Sequence, residues 1–173
     1  MSLKGVCDVE KRTRLVVKAV ILICVLVVLV FIVPKALYSA HVDAYVLDSL
    51  NASKKVEAEF RAKVTITDYS HLGKDLIYKH TMNGITVKSG DTISLYSARL
   101  PLQTTITESD SVPDTATTDE TTLRIKGGDE ATAKTSLTVK ERGGRRYKNA
   151  YADFDITYFI TPKPPFWDVV FYF

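Results

Sequence analysis

The chain has 173 residues, 46% of them hydrophobic and 25% charged, which leaves room for one domain and an anchor. Its net charge of +3 belongs entirely to residues 1–18, where Lys4, Lys11, Arg12, Arg14 and Lys18 outnumber Asp8 and Glu10; the neutral remainder lacks the basic domain of a nucleic-acid binder. Of the two cysteines, Cys7 lies in that basic tail and Cys24 in the apolar segment after it, so a disulfide framework in the domain beyond is excluded.

Residues 1–14 read as a basic cytoplasmic tail, with Cys7 a candidate for palmitoylation beside a membrane. Ala19–Val33 (AVILICVLVVLVFIV) has no charge and no strongly polar group. Leu15–Val17 extend the run inward, and the Lys18 ammonium can snorkel to the headgroups. Leu15–Val33 as a helix measures about 28 Å at about 1.5 Å per residue, matching a hydrocarbon core of about 30 Å. A transmembrane helix over 15–33 is therefore expected, ended by Pro34 and flanked by an interfacial Tyr38. The basic cluster before the helix places the N-terminus in the cytoplasm and the rest outside it, at the cell surface or in an endomembrane lumen. The rival is a cleaved signal peptide. Its best small-residue site, after Ala40, puts Tyr38 where a small side chain is required.

The segment 34–161 reads as a domain of strands. Val42–Leu47 is the first. The sequon Asn51-Ala52-Ser53 follows and makes Asn51 a glycosylation candidate. In Val56–Ile66 six apolar residues alternate with polar ones, the pattern of a half-buried strand. The pairs Glu57/Arg61 and Glu59/Lys63 would equally suit a helix, but unbroken alternation and a β-branched end favour the strand. Phe60 and Val64 should then face inward, with Arg61 and Lys63 in solvent. His71, Asp75 and His80 match no zinc spacing, and the histidines are expected to be solvated. Asn83-Gly84 between Leu76–Met82 and Ile85–Lys88 is the signal of a type I′ hairpin.

Thr92–Leu95 is the next expected strand. Residues 104–122, rich in Thr, Ser and acid, read as a mobile loop between strands, with O-glycosylation or cation contact as the alternatives, although the acidic spacing does not fit a calcium loop. Leu123–Lys126 and, after Gly127-Gly128-Asp129, Ala131–Lys140 are strands. Gly143-Gly144 turns the chain into a strand over Ala150–Ile160. Lys140, Arg142, Arg145, Arg146 and Lys148 form a basic patch at this turn, a solvated tip or a contact for anionic headgroups or polysaccharide. Residues 162–173 are a Pro-rich turn and an aromatic segment, expected as a docked final strand, with an exposed tail meeting membrane or partner as the alternative.

No helix is expected after Pro34. The fold class is thus an all-β ectodomain, an antiparallel β-sandwich of about seven to eight strands, on one N-terminal transmembrane helix. No nucleophile elbow, zincin, Walker or dinucleotide motif occurs. No catalytic, cofactor-binding or metal-ligating residues are assigned.

The order of parts carries a resemblance. A basic tail and anchor precede a strand in HVDAYVLDSLNAS, a long alternating strand, Asp75-Leu76-Ile77-Tyr78, a short ITVKSGDTI strand and a terminal two-strand hairpin. Over about Leu15–Ile160 this resembles the group-2 late-embryogenesis-abundant domain of plant harpin-induced-like membrane proteins and some animal lysosomal type II proteins. That family often has Asn-Pro-Asn after its long strand, where this chain has Asp68-Tyr69-Ser70. The resemblance implies a non-enzymatic, membrane-associated protein of stress or defence signalling, and it carries over no ligand-binding residue.

The expected function is that of a membrane-anchored interaction or structural component, including as a subunit of a membrane assembly. Its partners would be the lipid bilayer and other membrane proteins or further copies of itself, with no nucleic acid and no cofactor. The first alternative is a bitopic lipid carrier, which would need an apolar groove along the β-domain. The second is a pilin-like filament subunit, against which KRTR stands before the apolar run without a processing site.

Overall fold

The computed structural model describes residues 3–70, 75–109, 113–141 and 150–173, with side chains from Arg14 onward. The chain divides into two compact units, one of Met1–His41 with Phe166–Phe173 and one of Val42–Pro165.

The first unit is built on a helix, α1 (Leu3–Val27), that passes through a π-helical turn (Val28–Ile32) into α2 (Val33–Asn51). Pro34 therefore does not end the helix as expected. The Val33 N–H reaches back five residues to the Val28 carbonyl, which widens the turn just before the proline. A proline inside an α-helix has no N–H to donate, and its ring collides with the carbonyl four residues earlier. The wider turn is a local adjustment that membrane helices tolerate at such a point. The stretch Arg14–Asn51 is long and apolar enough to cross a membrane. Between Leu15 and Val33 its large apolar side chains are 37–72% exposed. The same unit includes α3 (Phe166–Val170), a short helix in place of the expected aromatic strand.

The second unit opens with the last turns of α2, where Val42–Leu47 had suggested a strand. Val42, Tyr45, Val46, Ser49 and Leu50 fall at helical spacing on one face, and Val46 and Leu50 are buried in the core. Ser53 takes φ 54° beyond the helix end. The Lys54 N–H then bonds the Ser49 carbonyl at 2.7 Å and the Ser53 N–H the Leu50 carbonyl at 3.1 Å, a Schellman closure with serine at the position usually held by glycine.

Nine strands follow among the described residues: β1 Val56–Ser70, β2 Leu76–Met82, β3 Ile85–Val87, β4 Thr92–Leu95, β5 Arg99–Glu108, β6 Thr115–Thr117, β7 Thr121–Arg124, β8 Ala131–Lys140 and β9 Tyr151–Pro162. All pair antiparallel in two sheets. One sheet has the order β4-β1-β9-β8. The other runs β3-β2-β5-β6, with β7 also on β5. The sandwich expected from the alternating segments is therefore present, with more strands than anticipated. The expected loop at 104–122 is largely structured, as the end of β5, then β6 and the start of β7.

Alternation dictates the core. In β9, Ala152, Phe154, Ile156, Tyr158 and Ile160 are buried, and Val56, Ala58 and Phe60 meet them from β1. The second sheet supplies Met82, Leu100, Leu102, Ile106 and Leu123. Arg61 and Lys63 are exposed as expected, whereas β1 outruns its cover and leaves Ile66 47% exposed. Asn83 and Gly84 have φ of 50° and 76° between the paired Met82 and Ile85, the two-residue I′ turn. The Gly127-Gly128 turn sits tight on α2, with the Gly128 N–H donating to Asp43 Oδ1 at 2.7 Å.

Candidate functional site

The inward face of β5 carries polar residues among its leucines, and their partners come from both sheets. Thr104 Oγ1 lies 2.7 Å from His80 Nδ1 on β2 and 2.7 Å from the Tyr158 hydroxyl on β9. The Thr104 N–H donates to Thr118 Oγ1 at 3.0 Å, the Thr118 N–H returns to the Thr104 carbonyl at 2.9 Å, and Thr118 also bonds Tyr158. The rings of Phe60, His80 and Tyr158 lie 5.9–6.3 Å apart. Burial holds the His80 imidazole below its ordinary pKa and raises the Tyr158 phenol, so both groups are neutral at pH 7.

A histidine within hydrogen-bond reach of a hydroxyl is the contact a base and a nucleophile require. Here Thr104 and Tyr158 are fully buried and His80 nearly so, so the arrangement ties one sheet to the other and offers no path to a substrate. The expectation of solvated histidines fails at His80 for the same reason. Its inward register on β2 brings it to Thr104, a long-range partner that local spacing does not reveal.

Two further polar groupings lie in the β unit, the first with Glu108 and Asp114 buried and Glu141 half-buried. Glu108, Asp114 and Glu141 each bring one carboxylate oxygen within 4.8 Å of the others, a hard-oxygen set of the type that suits a cation. Each also has a further interaction within the protein. Glu108 and Asp114 fall in the acidic stretch 104–122, for which cation contact is the alternative to a loop, and Glu141 joins them from just beyond β8. The second feature is a cleft of about 360 Å³ lined by Asp43, Arg124, Lys126, Asp129 and Glu130, among others. Two further clefts run along β8 and β9 over Ser136, Asp155 and their neighbours. The first two are mainly polar, and the third, over Lys134–Ser136 and Asp155–Thr157, exposes more apolar than polar surface. Around β1, Lys163 bonds Glu59, Arg61 bonds Glu130, and Arg61 also lies 5.5 Å from the Phe159 ring centre; such exposed pairs contribute little each.

Asn51 is exposed as the last residue of α2, and Lys140 is exposed at the end of β8. Arg142, Arg145, Arg146 and Lys148 lie outside the described residues, as do the Gly143-Gly144 turn, His71 and the Cys7 side chain. The basic patch is thus represented by Lys140 alone, at the end of the β8–β9 ladder that closes on Lys140↔Tyr151. No known protein family, curated protein or solved structure matches this chain.

Proposed function

We propose that this protein is a single-pass, signal-anchored membrane component with its N-terminus in the cytoplasm, and that its β-sandwich acts outside as a non-enzymatic interaction or structural module. The observation that carries the reading is the pairing of an uncovered apolar helix with a filled sandwich. Helix Leu15–Val33 exposes apolar side chains around its whole circumference, a surface that water tolerates poorly and a bilayer accepts. The β unit buries its own core between the sheets, and two of the three clefts described above are mainly polar. This supports an adaptor surface over a lipid carrier, whose acyl chains need an apolar groove. The buried state of the His80–Thr104 pair supports the non-enzymatic reading. The basic tail supports the orientation, and the resemblance to group-2 late-embryogenesis-abundant domains supports the pairing of one anchor with one β-domain. Outside placement would also make Asn51 accessible to glycosylation.

Native co-purification after cross-linking tests the reading. A discrete membrane-protein partner, or a defined oligomer of this chain, is the expected product. Recovery of a monomer with stoichiometric acyl lipid held in the β-domain would favour the carrier.

A further inference from the structure

We propose that the last eight residues form a second membrane contact: α3 and its aromatics lie at headgroup level, beside the end of the membrane helix marked by Tyr38. The proposal rests on the reading of Leu15–Val33 as the spanning segment.

The depth follows from helix geometry. Tyr38 stands five residues past Val33, or about 7.5 Å along the axis. The polar layer on each face of a bilayer is roughly 5–8 Å thick, the difference between a core of about 30 Å and a total of about 40–45 Å. Tyr38 therefore sits at headgroup level. Phe166 stacks on it with ring centres 5.1 Å apart and planes at 16°, and Phe173 meets His41 edge-on at 6.2 Å. The Tyr38–Phe166 stack holds the start of α3 at that level.

The chemistry of α3 fits the layer. Val169 and Val170 are buried, while Trp167, Phe171 and Phe173 are 57%, 65% and 99% exposed. Trp167 and Phe171, one turn apart, stack at 5.8 Å and present a continuous aromatic surface. Asp168 is the single charged side chain in 166–173. Exposed aromatic patches of this kind mark partner or membrane surfaces, and tryptophan favours the interface, where an apolar ring and an N–H donor are both accommodated. Continuity with the membrane helix commits the patch to lipid.

Trp167 is the only tryptophan in the chain, so the emission of the intact protein reads this site alone. The full chain is reconstituted into phosphatidylcholine vesicles carrying bromine either high or deep on the acyl chain. The expected result is blue-shifted emission, quenched several-fold by shallow bromine and much less by deep bromine. A second protein, Trp167→Phe with Phe31→Trp, moves the reporter into the spanning segment. Quenching at position 31 without quenching at 167 overturns the proposal and leaves the anchored reading standing. Quenching at neither position removes the anchored reading itself. Blue-shifted Trp167 emission that bromine does not quench also overturns the proposal, because a protein surface then covers the ring.

Discussion

Replacing Thr104 by Val isolates the polar bridge between the two sheets. Valine keeps the branched shape and the backbone bonds to Thr118, but it removes the hydroxyl shared by His80 and Tyr158. The His80 nitrogen, 7% exposed as a residue, then loses its hydrogen bond within the core, which costs about 1–3 kcal/mol. Tyr158 keeps Thr118 as a partner and loses one bond, roughly 1 kcal/mol. The sum is about 2–4 kcal/mol, a large share of the stability of a domain held by about 5–15 kcal/mol. Thr105→Val is the control. Its hydroxyl meets Thr117 at 2.9 Å in an exposed pair on the other face, and its loss should stay within about 0.5 kcal/mol. Urea unfolding of the full chain in micelles, followed by the far-ultraviolet dichroism of the sheet, measures both. Equal midpoints for the two variants would refute the bridge.

Burial keeps His80 neutral when folded, while an unfolded histidine protonates near pH 6.5. Below about pH 6.5 the unfolded chain binds a proton that the folded one refuses, so stability falls with pH until the folded His80 itself titrates. His80→Gln should flatten this slope, and unchanged slopes would count against the burial. Gly84 occupies φ 76°, where a β-branched side chain is strained, so Gly84→Val should destabilise the domain by roughly 1 kcal/mol or more; an unaltered melting temperature would contradict the I′ turn. A Cβ on Gly128 would collide with the Val42 side chain on α2, and Gly128→Ala should cost about 1–3 kcal/mol as overpacking. A neutral result by thermal melting would mean that helix and turn separate without penalty.

Period-two alternation made β1, β8 and β9 legible, and Asn83-Gly84 did the same for the β2–β3 hairpin. In each case one face is buried and local chemistry agrees with it. The strand β5 was hidden because its inward positions include Thr104 and Glu108, which look like loop residues until partners on other strands satisfy them. Pro101 hid it further. It stands one residue past the last pair with β2, Met82↔Leu102, and its carbonyl accepts the Asn83 N–H at 3.0 Å. Its nitrogen points to the same side, where the ladder has ended, so no ladder bond is lost. The continuation of the helix through Pro34 depends on a π turn that no residue pattern signals. The spacing of Val42, Tyr45, Val46, Ser49 and Leu50 did carry the helical period, and it was overshadowed by the apparent stop at Pro34. The aromatic run after Pro165 is too short for periodicity to separate helix from strand. The polar network joins residues far apart in the chain, as does the approach of Glu141 to Glu108 and Asp114, so neither grouping was visible before folding.

Protease accessibility in sealed cells or vesicles reports the topology of the chain. A tag is placed at Met1, and protease is added from outside. Digestion of the chain beyond Pro34 with survival of the tagged fragment is the result expected for a cytoplasmic tail and an outer β-sandwich. Protection of the β-sandwich with loss of the tag would contradict the account.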